Sequence, residues 1–300
     1  VAGDLSFQRS YASLAVSTTL YPTDLGPGWT HNQDVRLLFE DDTIWFKAHT
    51  LNQYRFLAQS DGSFLPYPGV LAQLTYNAST NTYLLTAANR SQYTFDNNGR
   101  LLSWRDERGF GFDYTYADGR LTRVSEPLSG RFLQFEYQNG RLAVVSDSAN
   151  RQVSFGYDAS GDLTEFSDVR GQVWQYAYQD HRLTTVIAPG NPPFAELIVH
   201  YDLQGRAFQQ YNTANERIVH LTFNPDGSTT VLDALDRPRT DGYDDRHTNI
   251  WQSDPAGYLL NKTYDANFRP IEVRDPYNRS IEYQWSANGA NLTYVRDAAG

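Results

Sequence analysis

The feature that most limits what this chain can fold into is an internal repeat. It is plainest from Tyr93 to Tyr114, where the aromatic pair Tyr93 and Phe95 leads into a turn, Asp96-Asn97-Asn98-Gly99. A return run from Arg100 ends at Asp106, and a second turn, Asp106-Glu107-Arg108-Gly109, leads to the next aromatic pair. Aligned on Gly99, the equivalent positions are Gly119, Gly140, Gly161, His181, Gly205, Gly227, His247, Phe268 and Gly289, at steps of 20, 21, 21, 20, 24, 22, 20, 21 and 21 residues. Apolar alternation at period two, bounded by Asp, Asn and Gly, marks half-buried strands joined by tight turns. A period this short means one supersecondary unit per repeat, packed on its neighbours.

Other positions keep the register. The second turn opens at Asp106, Glu126, Asp147, Asp168, Asn212, Asp254 and Asp275, and closes at Gly109, Asn150, Gly171, Asn215, Gly257 and Asn278. Asp and Asn bond their own backbone in turns, and Gly and Asn tolerate positive φ. The three non-glycine anchors, His181, His247 and Phe268, are therefore expected to use another turn geometry. Aromatic pairs recur as Tyr114/Tyr116, Phe135/Tyr137, Phe155/Tyr157, Tyr176/Tyr178 and Tyr283/Trp285, spaced to form stripes on one face of a sheet. Arg follows the turn glycine at Arg100, Arg120, Arg141 and Arg206. Acidic turn residues between these arginines would make a charge ladder running from repeat to repeat.

Tyr157-Asp158 with Gly161, Tyr201-Asp202 with Gly205-Arg206, and Tyr264-Asp265 with Phe268-Arg269 resemble the YD repeat of Rhs proteins. Upstream, FQRSYAS with Arg9 and Tyr11, followed by LGPGWTHN with Gly26, Gly28 and Trp29, resembles the segment that precedes the YD repeats in Rhs-type toxins. The resemblance covers Tyr93 to Gly300. It implies an all-β chain of antiparallel hairpins wound into a curved, spiralling sheet, open in this piece, that forms part of a hollow shell. Such shells, in bacterial Rhs and Tc toxins and in teneurins, are large cocoons, and the bacterial ones enclose a toxic C-terminal domain. The partners implied are the remaining repeats and that toxin domain in the same polypeptide, with a secretion-system component or a surface glycan as further contacts. The implied localisation is an exported or delivered bacterial protein. The chain reads as a piece of such a polypeptide.

Three stretches are distinguished: an N-terminal segment at 1–46, degenerate repeats at 47–92 and regular repeats at 93–300. Val35 to Phe46 reads as a hairpin with Glu40-Asp41-Asp42-Thr43 at its tip. Pro66 and Pro68 disfavour a central strand near them. Ala188-Pro189-Gly190-Asn191-Pro192-Pro193-Phe194 is an irregular loop, with no domain boundary expected after it.

Chemistry is thinly represented. A net charge of −10, from 25 basic and 35 acidic residues, disfavours nucleic acid and anionic membrane as partners. With Cys 0 there is neither a disulfide framework nor a thiol nucleophile. No apolar run reaches the ~18 residues of a membrane helix. The six histidines show no metal-ligand spacing; His200 and His220 fall in similar places of successive repeats and read as strand residues. Asp41-Asp42 and Asp244-Asp245 read as solvated turn carboxylates, and the periodic Asp residues as turn formers, not calcium ligands. No phosphate loop or nucleophile elbow occurs. The Asn-x-Ser/Thr sequons at Asn77, Asn89, Asn261, Asn278 and Asn291 arise readily by chance in turn-rich sequence. The expectation is a structural scaffold with no cofactor, no metal and no catalytic residue. The alternative, from a different class, is a carbohydrate-binding or cell-surface adhesion module using exposed Trp and Tyr.

Overall fold

The computed structural model describes residues 5–16, 24–48, 52–190, 192–287, 289 and 291–297. Asn191 and Gly300, both named above, lie outside them. The described chain is built of antiparallel strands, with one short 3-10 turn at Ser13–Ala15. It divides into two compact units, residues 1–67 with 72–195, and residues 68–71 with 196–300. The division corrects the expectation of no boundary, since it falls directly after the Ala188–Phe194 interruption. Pro189, Pro192 and Pro193 lack the backbone N–H that a strand ladder needs, so the chain is most easily partitioned there.

In the first unit the N-terminal segment forms two small sheets. Strand β1 (Arg9–Tyr11) pairs with β2 (Trp29–His31). The expected hairpin is β3 (Arg36–Glu40) and β4 (Thr43–Lys47), joined by Asp41-Asp42. Strands β5 (Gln53–Ala58) and β6 (Phe64–Pro66) extend that hairpin to four strands, in the order β3-β4-β5-β6. Pro66 thus ends an outermost strand, where a missing donor costs least.

The repeats follow as antiparallel hairpins, from β7 (Gln73–Asn77) to Arg182–Ala188 in the first unit and from Phe194–Tyr201 to Leu292–Arg296 in the second. Most loops share one construction. At Asp96 the backbone N–H donates to the Arg100 carbonyl and the Gly99 N–H returns to the Asp96 carbonyl. The Asp96 carboxylate accepts the Asn98 and Arg100 N–H groups at 2.9 Å each and the Arg100 Nε at 2.6 Å. The residue before Arg100 sits at φ +80°. A carboxylate that takes two main-chain donors and a guanidinium fixes the turn more firmly than its glycine does.

This construction overrules the expectation for the non-glycine anchors. His247 and Phe268 adopt φ +60°, and Asp244 and Asp265 accept the same pairs of N–H groups. His181, at φ +62° behind Asp180 at +50°, closes the same two-residue turn as Asp118-Gly119 and Asn139-Gly140. The left-handed conformation costs an L-residue about 1–2 kcal/mol, and the flanking ladders with the Asp cap hold it there.

Directly paired residues share a face. In the first unit one face can be followed across strands as Leu74↔Leu85↔Tyr93↔Trp104↔Phe112, then Tyr114↔Val124↔Leu133, Phe135↔Val145↔Val153, Phe155↔Phe166↔Trp174 and Tyr176↔Val186. Each step advances two residues along a strand, so the stripe is a diagonal, and all of it is apolar or aromatic. Leu85, Val124 and Phe135 on this stripe, with Leu101, Leu142 and Leu163 behind the turns, are no more than 2% exposed and form the core.

Candidate functional site: the seam between the N-terminal segment and the repeats

The apolar stripe of the first unit is covered by the chain's own N-terminal segment. Arg9 lays its guanidinium over the Phe166 ring, 3.4 Å from the centroid, and donates to the Tyr176 hydroxyl. The Tyr11 hydroxyl accepts the Leu183 N–H at 2.9 Å, and its ring packs 5.3 Å from Trp29. The buried Trp29 donates its indole N–H to the Tyr178 hydroxyl at 2.8 Å. Phe7 meets Phe135 and Phe155, and Phe46 meets Tyr93 and Phe95. Of the residues selected by motif, Arg9, Tyr11 and Trp29 touch the repeats directly and Gly26 approaches the Gly161 carbonyl, while Gly28 packs inside the segment against Tyr11.

Turn glycines make the close approaches. The Leu37 N–H donates to the Gly99 carbonyl at 2.8 Å, and a Cβ on Gly99 would strike the Leu37 carbonyl. A Cβ on Gly26 would lie 2.6 Å from the Gly161 carbonyl, and one on Gly161 would collide with the Arg141 guanidinium. Both the segment and the neighbouring repeat therefore need bare backbone at these turns.

Within the segment lies a buried ionic cluster that the sequence reading did not single out. The Asp34 carboxylate accepts from Arg36 Nε on Oδ1 at 2.7 Å, and from Lys47 and from the Thr30 hydroxyl, at 3.1 Å, on Oδ2. Lys47, 1% exposed, also donates to Thr30 Oγ1 at 2.7 Å and to the Asp34 carbonyl at 3.1 Å. Burial works against charge on Asp34, but Arg36 and Lys47 outweigh it and hold the carboxyl below the usual range. Burial pulls Lys47 down, partly offset by Asp34; burial and Asp34 raise Asp24. Beside the cluster is a cavity of about 120 Å³, lined by Asp24, His31, Asp34, Arg36, Arg120 and Tyr137 among others. The signal available in the sequence was an Asp just before one apolar hairpin and a Lys at its end, thirteen residues apart, in a stretch without periodicity.

The repeat positions play a different part, and they correct the charge-ladder expectation. Arg100 and Arg206 pair with Asp96 and Asp202 of their own turns. What they extend toward is the aromatic residue of the following hairpin: Arg100 over Tyr116 at 5.4 Å, Arg120 over Tyr137 and Arg141 over Tyr157 at 5.5 Å, and Arg206 over Phe223 at 3.9 Å. The same rings bond backward, Tyr137 to the Leu121 carbonyl at 2.8 Å and Tyr157 to the Leu142 carbonyl at 2.7 Å. Repeat joins repeat by a cation under a ring and a hydroxyl on a carbonyl, not by alternating charge. Asp158 caps its turn through the Asp162 N–H, Gly205 bonds back to Asp202, and Gly119 and Gly140 close two-residue turns. Tyr201 and Tyr264 pair across their hairpins with Ala207 and Pro270, and Asp265 holds Arg269. At one junction the chemistry is exchanged: Asp162 stands where Arg would, and His181, in place of the next glycine, bonds it through Nδ1 at 2.9 Å.

His200 and His220 do not meet, because Gln209 lies between them, at 3.4 Å from one and 3.0 Å from the other. Among the described residues no three His, Asp or Glu side chains gather as a metal set, and no helix is long and apolar enough to cross a membrane.

Comparison with known proteins agrees with this geometry. Residues 157–192 match the RHS Repeat family model and residues 2–56 match a domain of unknown function, DUF6531. The tRNA3(Ser)-specific nuclease WapA of Bacillus spizizenii and the tRNA nuclease WapA of Bacillus subtilis are each 25% identical over 250 residues, which is 75% of this chain and 10% of theirs. The chain therefore spans about a tenth of the length of these relatives. Among solved structures, the Photorhabdus luminescens Tc holotoxin pore carrying the mutation TccC3-D651A superposes with a TM-score of 0.51 over 88% of this chain and 17% of that one, at 9% identity, a likeness of fold alone. Residues 157–192 thus carry an RHS repeat, and the hairpin array, the two motif regions and these matches together support an Rhs/YD-repeat protein.

Proposed function

We propose that this chain is a stretch of shell wall, in a longer polypeptide, that encloses and shields an effector domain carried by the same chain. The chain's own part is structural, with the N-terminal segment fastening the first hairpins. The observation that carries this reading is the seam: Arg9, Tyr11 and Trp29 are spent on holding the segment to the repeats, and the Asp34–Lys47 cluster on tying the segment to itself. Each conserves the geometry of a wall, and none presents a nucleophile or base to solvent. The WapA relatives are named as tRNA nucleases, and in this reading any such activity belongs to another part of the polypeptide. Delivery outside the producing cell follows from the same reading.

The test is protease accessibility in the complete polypeptide. A domain following the repeats is expected to resist protease until the repeats unfold, and to become cleavable under native conditions when Trp29→Ala unseats the segment. Cleavage of that domain at the same rate in native and denatured wild-type protein would overturn the proposal.

A further inference from the structure

His31 sits at the seam with one ring of each partner against it. Its imidazole lies 5.2 Å from the Phe7 ring of the N-terminal segment and 5.8 Å from the Phe135 ring of the repeats, tilted by 32° and 31°. The residue is 5% exposed, and its Nδ1 has no hydrogen-bond partner. The charged groups around it come from every neighbouring element. Asp34 and Arg36 follow on its own segment, and Lys47 comes from β4. Asp24, Arg100 and Arg120, with the Tyr116 and Tyr137 hydroxyls, share the wall of the same cavity.

We propose that His31 is an acid-sensitive latch, and that protonation of its imidazole releases the N-terminal segment from the repeats. A neutral imidazole fits between two aromatic rings. An imidazolium would add a cation beside Arg36 and Lys47, which already share one carboxylate. Asp34 has little left to offer it, with Oδ1 engaged by Arg36 and Oδ2 by Lys47 and Thr30. Detachment would put the ring in water, where a proton costs nothing.

The sign follows from linkage. Burial pushes His31 down from 6.5 to about 4, with Lys47 and Arg36 adding to it and Asp34 opposing. Between those values the released form binds a proton that the docked form refuses, so docking weakens as pH falls through this window and weakens no further below it. One unit of pKa difference is a factor of ten, so docking is about 100-fold weaker at pH 4.5 than at neutral pH. Asp24 acts in the opposite sense, because burial raises its pKa and its protonated form is favoured in the docked state. Asp34, held low by Arg36 and Lys47, contributes only at more acid pH, below its ordinary 3.8.

Two measurements on the whole chain decide it. The His31 ring carbon shifts, followed by NMR, are expected to titrate near 4, and a midpoint at or above 6.5 would overturn the latch. Amide exchange at Thr30 and Leu37, corrected for the intrinsic pH dependence of exchange, is expected to lose about 100-fold protection between pH 7 and 4.5 while amides of Leu260 and Val273 keep theirs. Equal loss at all four, or loss at none, would overturn it. His31→Gln is expected to flatten the profile, and a profile as steep as wild type would sink the idea. Should that variant not fold, the two wild-type measurements stand alone.

Discussion

The two units build the same hairpins, and the same diagonal can be followed on one face of each. In the first it is apolar throughout. In the second it reads Val199↔Gln210↔Val219, Leu221↔Val231↔Arg239, Asp241↔Gln252↔Leu260, Lys262↔Val273↔Ile281 and Tyr283↔Val295. Gln210, Arg239, Asp241, Gln252 and Lys262 thus occupy positions that are apolar or aromatic in the first unit. The polar ones answer one another, Arg239 with Asp241 at 3.1 Å and Lys262 with Asn249 at 2.6 Å. The repeat backbone and its turns do not demand an apolar face. Among the described residues the aromatic contacts of the N-terminal segment fall on the stripe of the first unit, and it is that stripe which is apolar throughout.

The sharpest way to break this comparison is to cut side chains at the seam. Phe135→Ala leaves a cavity under Phe7 and is expected to cost the first unit about 3–5 kcal/mol in urea unfolding. Lys47→Ala removes one of the two cations that Arg36 and Lys47 supply to the buried Asp34, for a loss of similar size. If either variant unfolds within about 0.5 kcal/mol of wild type, the covered stripe is not what stabilises that unit.

A middle-sized effect is expected from Gln252→Leu with Lys262→Leu, which restores the apolar diagonal in the second unit. Unfolding should change by less than ~1 kcal/mol, because Gln252 and Lys262 sit at half-buried positions where a leucine gains little burial, while light scattering should show self-association through the enlarged patch. A gain of several kcal/mol without association would mean the second stripe is covered after all.

The smallest effect separates the two uses of arginine. Arg120→Gln removes a cation held under the Tyr137 ring, for about 0.5–1 kcal/mol. Arg237→Gln removes an exposed pair within its own turn and should cost less than ~0.5 kcal/mol. Thermal unfolding of the two variants side by side would show Arg120 as the costlier, and the reverse order would return weight to pairing within turns.

How far the sequence disclosed this can be judged residue by residue. The Gly99-to-Gly289 spacing and the Asp-headed turns were open to reading because a turn is a local matter, decided within five residues. Arg9, Tyr11 and Trp29 were found by motif, though nothing in the motif said that their targets were Phe166, Leu183 and Tyr178. The polar diagonal of the second unit stayed hidden for a geometric reason. Bulges such as those at Glu136/Tyr137 and Gly242/Tyr243 shift the register once in many hairpins. A period-two count run through the turn therefore assigns the wrong face on one side. Asp34 and Lys47 were missed because a tertiary ion pair leaves no periodic trace. The charge ladder failed because it weighed Coulomb attraction alone and left out the aromatic ring that each arginine reaches.

The junctions between repeats bear on how such an array can change length. At the Tyr137 and Tyr157 junctions the donor and the acceptor occupy the same places, a ring on one hairpin and an Arg-Leu step on the one before, so these units can follow one another in either order. Duplicating or deleting a whole unit would leave those joints intact, as coupling wagons leaves a train serviceable. The joint between Asp162 and His181 is keyed differently. A unit ending in arginine placed before His181 would set a guanidinium against a side chain where a bare turn belongs, and Asp162 placed before a glycine would lose its donor. A duplication or deletion that parted Asp162 from His181 would break this joint, so the two hairpins it links work as a pair.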